Sequence, residues 1–242
     1  MSEQRTLLCD TAAAVFAEAA TAGMAPIEAA GFAQLLIPEQ DGGFGGDWGD
    51  VCAVLRIAGA KVPHLPVGEL IIGGKVSQPI GAFVRVAQSA GAIDAALAMS
   101  IDYVNTRQQF GKALGKFQAV QQVLAVFATE AAAVNVAAAA AAAALDRAGG
   151  DSQVALFEIA AAKLRTNKAI STAVPIAHQV HGAIGFTRDY DLHLLTGPLN
   201  DWRSDFGNDA YWGDILGGMA AKLGGAGLWA EVTRRTDPVV SL

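Results

Sequence analysis

From Ala131 to Leu145 the chain is nearly all alanine, interrupted by Asn135 and bounded by Glu130 and Asp146. Alanine loses no side-chain entropy in a helix and is the strongest helix former, yet it fills little volume in a core. A helix built from it is useful where neighbouring helices approach closely. The run is only about fifteen residues long, too short and too weakly apolar to span a bilayer. It therefore predicts one tightly packed member of a helical bundle. Composition agrees, since 52% of residues are hydrophobic but only 7% aromatic.

Unbroken helical patterns cover 83–109, 117–148 and 152–182. In the last, Val154, Phe157, Ala161 and Leu164 recur at intervals of three and four, which predicts one buried face. Gly149-Gly150 stops the helix before it and Asp151 supplies a cap, while Pro175 predicts a kink one turn ahead of Gln179. Shorter helices are expected over 189–195 and 209–223, separated by Gly197-Pro198. Towards the N-terminus, 7–22 reads as a helix and Pro26 opens a second to about residue 36. After the Gly42–Gly46 loop, Asp47 or Asp50 caps a third that runs to residue 60. Between 62 and 83, Pro63, Pro66, Gly68, Gly73, Gly74, Pro79 and Gly81 break the pattern, and no alternating run suggests a strand. The expected fold is all-α: a four-helix bundle over 83–242, a partial N-terminal helical domain over 1–66, and a linker over 67–82.

Several function classes are excluded at this level. A net charge of −6 without a basic cluster argues against nucleic acid and anionic membrane surfaces. Cys9 and Cys52 are lone thiols, so no disulfide framework is expected. Gly42–Gly46 is not a phosphate loop, because no strand precedes it and no Lys-Ser/Thr follows. His178 and His181 share a helix face, but no carboxylate stands at ligand spacing beside them, and no metal is expected. The N-terminus leads straight into an amphipathic pattern, from which a cytoplasmic protein is expected.

Two segments carry chemistry. The first, Tyr103-Val-Asn-Thr-Arg107-Gln-Gln109-Phe110-Gly111-Lys, continues through Phe117-Gln118-Ala119-Val120 and sets a cation, amides and aromatics where one long helix gives way to the next. The second is Gln179-Val180-His181-Gly182-Ala183-Ile-Gly185-Phe186-Thr187, again at a helix end. Guanidinium pairs in fork geometry with phosphate oxygens, and glycine lets backbone approach a rigid ligand. In this order and spacing the two segments resemble the C-terminal helical domain of the acyl-CoA dehydrogenase family. The run Gly31-Phe-Ala-Gln-Leu-Leu-Ile-Pro-Glu39, followed by the glycine loop, is similar to that family's N-terminal α-domain.

The resemblance implies FAD, shared with a partner subunit. Arg107, Gln109 and Phe110 would meet its pyrophosphate, and Gln179, Val180, His181, Gly182 and Ala183 its adenine end. Ala183 stands where the family often has glycine. Two departures matter more. The family's β-domain, which would fall at the 67–82 linker, is missing. The two positions at which the family places its glutamate base fall at Gly81 and Phe206, and the arginine-aspartate pair before the later one is replaced by Gly197-Pro198. Asp205 is the nearest candidate for a displaced base.

Three roles follow from the resemblance. One is a small subunit that closes over the FAD of a full-size acyl-CoA dehydrogenase partner acting on an acyl-CoA. Another is a silent helical scaffold or regulator. The third is a self-associating flavoenzyme using Asp205.

Overall fold

The computed structural model describes residues 3–73 and 76–236. Nine α-helices occur among them: α1 (Glu3–Ala22), α2 (Ala25–Ala29), α3 (Trp48–Lys61), α4 (Val67–Ile72), α5 (Gln78–Thr106), α6 (Gln118–Arg147), α7 (Leu156–His181), α8 (Leu192–Trp202) and α9 (Asp209–Thr236). The strands among the described residues, β1 (Gln108–Gln109) and β2 (Lys112–Ala113), form a single antiparallel hairpin. The fold is all-α, as the alanine run and the unbroken helical patterns predict.

α5 is the central element. Every residue from Pro79 to Ile93 is buried except Arg85, so the helix is enclosed on all sides over four turns. α3, α6, α7 and α8 pack around it, α1 covers α3, and α9 lies on α7. Enclosure that complete needs close neighbours. Gly59 of α3 faces the Gln88 carbonyl of α5 and Gly91 of α5 faces the Arg56 carbonyl of α3, with no room for a Cβ at either. In α6 the buried positions Phe127, Ala131, Val134, Ala138, Ala141 and Leu145 recur every three or four residues, while the opposite face is open, with Val136 71% exposed. The helix is twice the length of the alanine run at its heart. Both α5 and α6 are long and apolar enough to cross a bilayer by length and composition, but α5 is enclosed by the fold.

Polar contacts fix the helix ends. Asp47 and Asp50 form a reciprocal capping box at the start of α3, so both candidate caps act together. Arg5 of α1 pairs with both carboxylates at 2.6 Å, and Asp146 at the end of α6 accepts the Trp48 N–H at 2.7 Å. Glu130 and Arg165 pair α6 with α7.

Four expectations are corrected. The buried face of α7 is Ile159, Ala162, Lys163, Thr166, Ala169, Ile170 and Ala173; Val154 is 64% exposed, and Phe157, Ala161 and Leu164 lie on the flank. Apolar periodicity misses this face because Lys163, Thr166 and Asn167 are part of it. The Lys163 ammonium is saturated: it donates to Trp202 O at 2.5 Å, Asn167 Oδ1 at 3.0 Å and Arg203 O at 3.3 Å, closing the end of α8. Asp151 does not cap α7, which starts five residues later; its carboxylate accepts from Gln153 N–H in a turn. Gly197-Pro198 does not end a helix, because α8 runs through it to Trp202. The 67–82 stretch holds α4 and the first turn of α5, with Pro79 near the N-terminus of α5 where its missing N–H is harmless; Gly74 and Lys75 lie outside the described residues. α7 also continues through Pro175.

Two stability tests follow. Gly59→Ala should cost about 1–3 kcal/mol by overpacking against the α5 backbone. Lys163→Met should cost a comparable amount by stranding the Trp202 carbonyl and Asn167 Oδ1, while Asn167 Nδ2 still serves the Arg203 carbonyl. Denaturant midpoints check both, and unchanged midpoints would refute the packing described.

Candidate functional site

α5 ends where the first motif begins. Tyr103 and Arg107 are four residues apart, hence on one face of its last turn. Arg107 leaves the helix with extended backbone (φ −72°, ψ 123°), and its carbonyl accepts the Leu114 N–H at 2.9 Å, closing the loop. Within that loop Phe110 and Gly111 have φ of 53° and 81°. Positive φ at both central residues is what a two-residue hairpin turn requires, so Gly111 is there for the turn. The chain then reverses into α6, whose first turns present Ala119, Val120 and Val123.

The second motif closes the other side. α7 ends at Gly182, whose φ of 65° and ψ of −143° suit glycine alone. Its N–H caps the His178 carbonyl, and the chain continues as a tight turn through Phe186.

These two helix ends face one another across a cleft of about 690 Å³. Arg107, Gln109, Gln179, Val180, His181, Gly182 and Ala183 all line it. Seven of the eight residues expected to meet a cofactor are therefore brought together from segments some seventy residues apart. Phe110 is not among the lining residues; it is 89% exposed at the hairpin tip, edge-on to Phe117 at 6.2 Å. Arg107 and Gln179 are both exposed, and the Arg107 guanidinium has no hydrogen-bond or ion-pair partner among the described residues. A Cβ placed on Gly182 would meet nothing within 4 Å, so that backbone is open to close approach. An unpaired guanidinium facing a bare glycine across an open cleft fits a phosphate-bearing ligand with a planar end.

The floor of the cleft is aromatic. Tyr103 stacks on His181 at 4.6 Å, and Tyr190 leans against His181 at 4.9 Å. Tyr103 opens the first motif, and its signal in the sequence is the four-residue spacing to Arg107. Tyr190 follows the second motif and had no signal at all. His181 is 3% exposed. Its Nδ1 lies 2.7 Å from the Ala177 carbonyl and must carry the proton, leaving Nε2 to accept from Tyr190 OH at 3.3 Å. His178 has the opposite tautomer. Thr196 Oγ1 donates to Leu192 O, so it accepts from His178 Nε2–H at 3.0 Å. Burial pushes both imidazoles below the usual histidine range, with the neighbouring His181 adding to the effect on His178. Both rings are thus neutral: His181 is part of the wall with both nitrogens committed to protein partners, and His178 is tied through Nε2 alone.

At the far end of α5 stand Gly81 and Phe206, the two positions that the resemblance equates with the family's base. They touch: the Phe206 ring, in the turn between α8 and α9, fills the space beside Gly81, where no Cβ could stand. Neither group can take up a proton. Asp205 Oδ2 accepts from Arg85 Nε at 3.0 Å, and Arg85 also pairs with Glu69 at 2.7 Å. Trp202 and Trp212 fill the core beside this turn, at 5% and 0% exposure.

Residues 80–197 match the family model described as acyl-CoA dehydrogenase, C-terminal domain. Acyl-CoA dehydrogenase FadE34 of Mycobacterium tuberculosis is 30% identical over 175 residues, covering 72% of this chain and 22% of the relative. Acyl-CoA dehydrogenase IpdE2 of the same organism is 33% identical over 114 residues, covering 47% and 33%. The matched region thus spans about a fifth to a third of the length of these relatives. Among solved structures, a chain of the Tcur3481-Tcur3483 steroid ACAD superposes with a TM-score of 0.77 at 17% identity, over 91% of this chain and 98% of that one. Glutaryl-CoA dehydrogenase from Mycobacterium smegmatis matches with a TM-score of 0.54 at 25% identity, over 61% of this chain and 37% of the other.

The neutral histidines give a pH test. Their folded pKa values lie below the unfolded value, so the unfolded chain binds more protons as pH drops. The stability they contribute is complete above about pH 6.5 and is lost as pH falls from there towards the depressed values. The melting temperature should decline across that window, and His181→Phe, which keeps a ring for Tyr103, should flatten the decline. An equally steep profile in the variant would refute the neutral assignment.

Proposed function

This chain belongs to the acyl-CoA dehydrogenase family, and we propose that it is a small subunit, lacking the β-domain, of a FAD-dependent acyl-CoA dehydrogenase. Its partner is a full-size subunit, and its contribution is one wall of a cofactor site at the seam between them. The single observation that carries this reading is a contrast within the molecule. Arg107, Gln109 and Gln179 through Ala183 meet in one open cleft, while the paired positions Gly81 and Phe206 hold no ionisable group.

The division of labour follows from what each group can do. Arg107 offers an unpaired fork of N–H donors to pyrophosphate oxygens, a charge-assisted arrangement worth more than neutral hydrogen bonds. Gln109 and Gln179 carry amides able to donate and accept at the same ligand. Gly182 lets the α7 backbone approach a flat ring, and the Tyr103–His181–Tyr190 stack keeps that wall rigid and uncharged. Ala183 adds a methyl group at the lip. When bound, FAD supplies the hydride acceptor for α,β-desaturation of an acyl-CoA thioester. The carboxylate that removes the α proton has to come from the partner, because Asp205 is engaged by Arg85. The near end-to-end superposition on a solved chain of this fold supports a β-domain-free subunit as a stable unit.

Co-expression with a full-size acyl-CoA dehydrogenase chain tests the reading. The complex should purify yellow with flavin absorbance, and this chain alone should not. Arg107→Ala should lower flavin retention about tenfold or more without dissociating the subunits, the loss expected for a charged hydrogen-bonding partner. A complex that never binds flavin, or retains it equally with Arg107→Ala, would leave the chain a silent scaffold.

A further inference from the structure

A second cleft, of about 650 Å³, runs between α7 and α8. Gln179 and Gly182 line it as well as the first, so the two clefts are neighbours at the end of α7. Its lining is of two kinds. Ile170, Val174 and Pro175 of α7 and Phe186 of the turn that follows are apolar, whereas Asn200 and Arg203, at the end of α8, are polar. Phe186 stacks on the His178 ring at 4.5 Å and is nevertheless 74% exposed, so its other face is open to a second ring.

Arg203 carries the only charge among the described lining residues, since His178 is neutral, and its donors are under-used. Its Nη2 stands 3.8 Å from Asp209 Oδ2, beyond hydrogen-bond distance, and Asp209 Oδ1 is taken by Asn167 Nδ2 at 2.7 Å. Its Nε is buried without a hydrogen-bond partner among the described residues. A buried donor left unpaired costs free energy that an acceptor on a ligand would recover. The spacing is set by α8. His178, which carries the Phe186 ring, is bound to Thr196, and Arg203 follows seven residues later, about 10 Å at the rise of an α-helix. A ligand that touches both Phe186 and Arg203 must hold its ring and its anion several bonds apart.

We propose that this cleft binds a small aromatic carboxylate, its ring on the free face of Phe186 and its carboxylate paired with Arg203. Guanidinium matches a carboxylate in fork geometry, and the apolar α7 wall covers the spacer between ring and anion. The inference goes beyond the family reading and does not rest on it, since it involves neither flavin nor thioester and its test needs no partner subunit.

Titration calorimetry of the full chain with phenylbutyrate, phenylbutanol and benzoate tests it. Phenylbutyrate should bind with a dissociation constant of about 1 mM or below, the affinity expected of a ligand with about a dozen heavy atoms. Phenylbutanol keeps the ring without the charge, and benzoate holds its carboxylate too close to the ring. Each should bind about tenfold more weakly, or not at all. Arg203→Gln should bring the same loss for phenylbutyrate at an unchanged melting temperature, because Lys163 and Asn167 hold the backbone carbonyl of this residue whatever its side chain. Phe186→Ala should weaken binding about threefold or more through the lost stacking, and it serves if the Arg203 variant does not fold. A wild type that binds no phenylbutyrate, or binds the alcohol as tightly, overturns the proposal, as does binding that survives both substitutions. Loss of binding on Arg107→Ala but not on Arg203→Gln would place the ligand in the first cleft and overturn it as well.

Discussion

α5 is enclosed on every side for four turns, and enclosing a helix that fully demands neighbours that come within backbone distance. Gly59 and Gly91 supply that distance against α3, and the alanines of α6 supply it on another side. The consequence reaches beyond packing density. A helix clamped this way fixes the position of whatever stands at its two ends. Gly81 and Arg85 are held at the first end, and Tyr103 and Arg107 at the other. The cleft is shaped as much by this clamp as by its own lining. The hairpin after Arg107 and the α7 terminus at Gly182 can face each other only because α5 and α7 are packed side by side.

The parts legible in the sequence are those governed by local rules. Long apolar-plus-alanine patterns give helices, Asp47 and Asp50 give a cap, and Gly111 gives a turn with positive φ. The cleft residues were legible for a different reason, since two motifs at helix ends carry their spacing in the chain. What could not be seen depends on long-range pairing. The inner face of α7 contains a lysine, a threonine and an asparagine, so a rule that follows apolar residues selects the flank instead. Lys163 can be buried because carbonyls at the end of α8, some forty residues on, accept its protons. α8 crosses Gly197-Pro198 because its apolar face, Leu192, Leu195 and Leu199, is anchored in the core. Tertiary burial overrode local helix-breaking there. Phe110 shares the motif with Gln109, but the turn leaves it exposed at the hairpin tip while Gln109 lines the cleft.

Electrostatics divide the molecule in the same way. At the Arg107 end a guanidinium is left without a protein partner among the described residues, and the wall behind it holds the buried, neutral His181 imidazole. At the Gly81 end the corresponding cation, Arg85, is consumed. Its N–H groups go to Glu69, Gln88 and Asp205, and its face lies between the Trp202 and Phe206 rings. One end presents unsatisfied binding capacity to solvent, whereas the other satisfies it internally. Unsatisfied donors at a surface cost little until a ligand arrives, because water serves them. Donors at a half-buried turn must find protein partners or destabilise it.

The Gly81 turn and the Arg107 cleft lie at opposite ends of a clamped helix, about 40 Å apart at the rise of an α-helix, and are mechanically independent. The turn that holds Phe206 answers to Arg85, Lys163 and Trp212, and the turn that presents Arg107 answers to the hairpin and to Tyr103 on His181. No side chain named at one end takes part at the other. A change confined to one end of the central helix therefore leaves the surface at the other end intact.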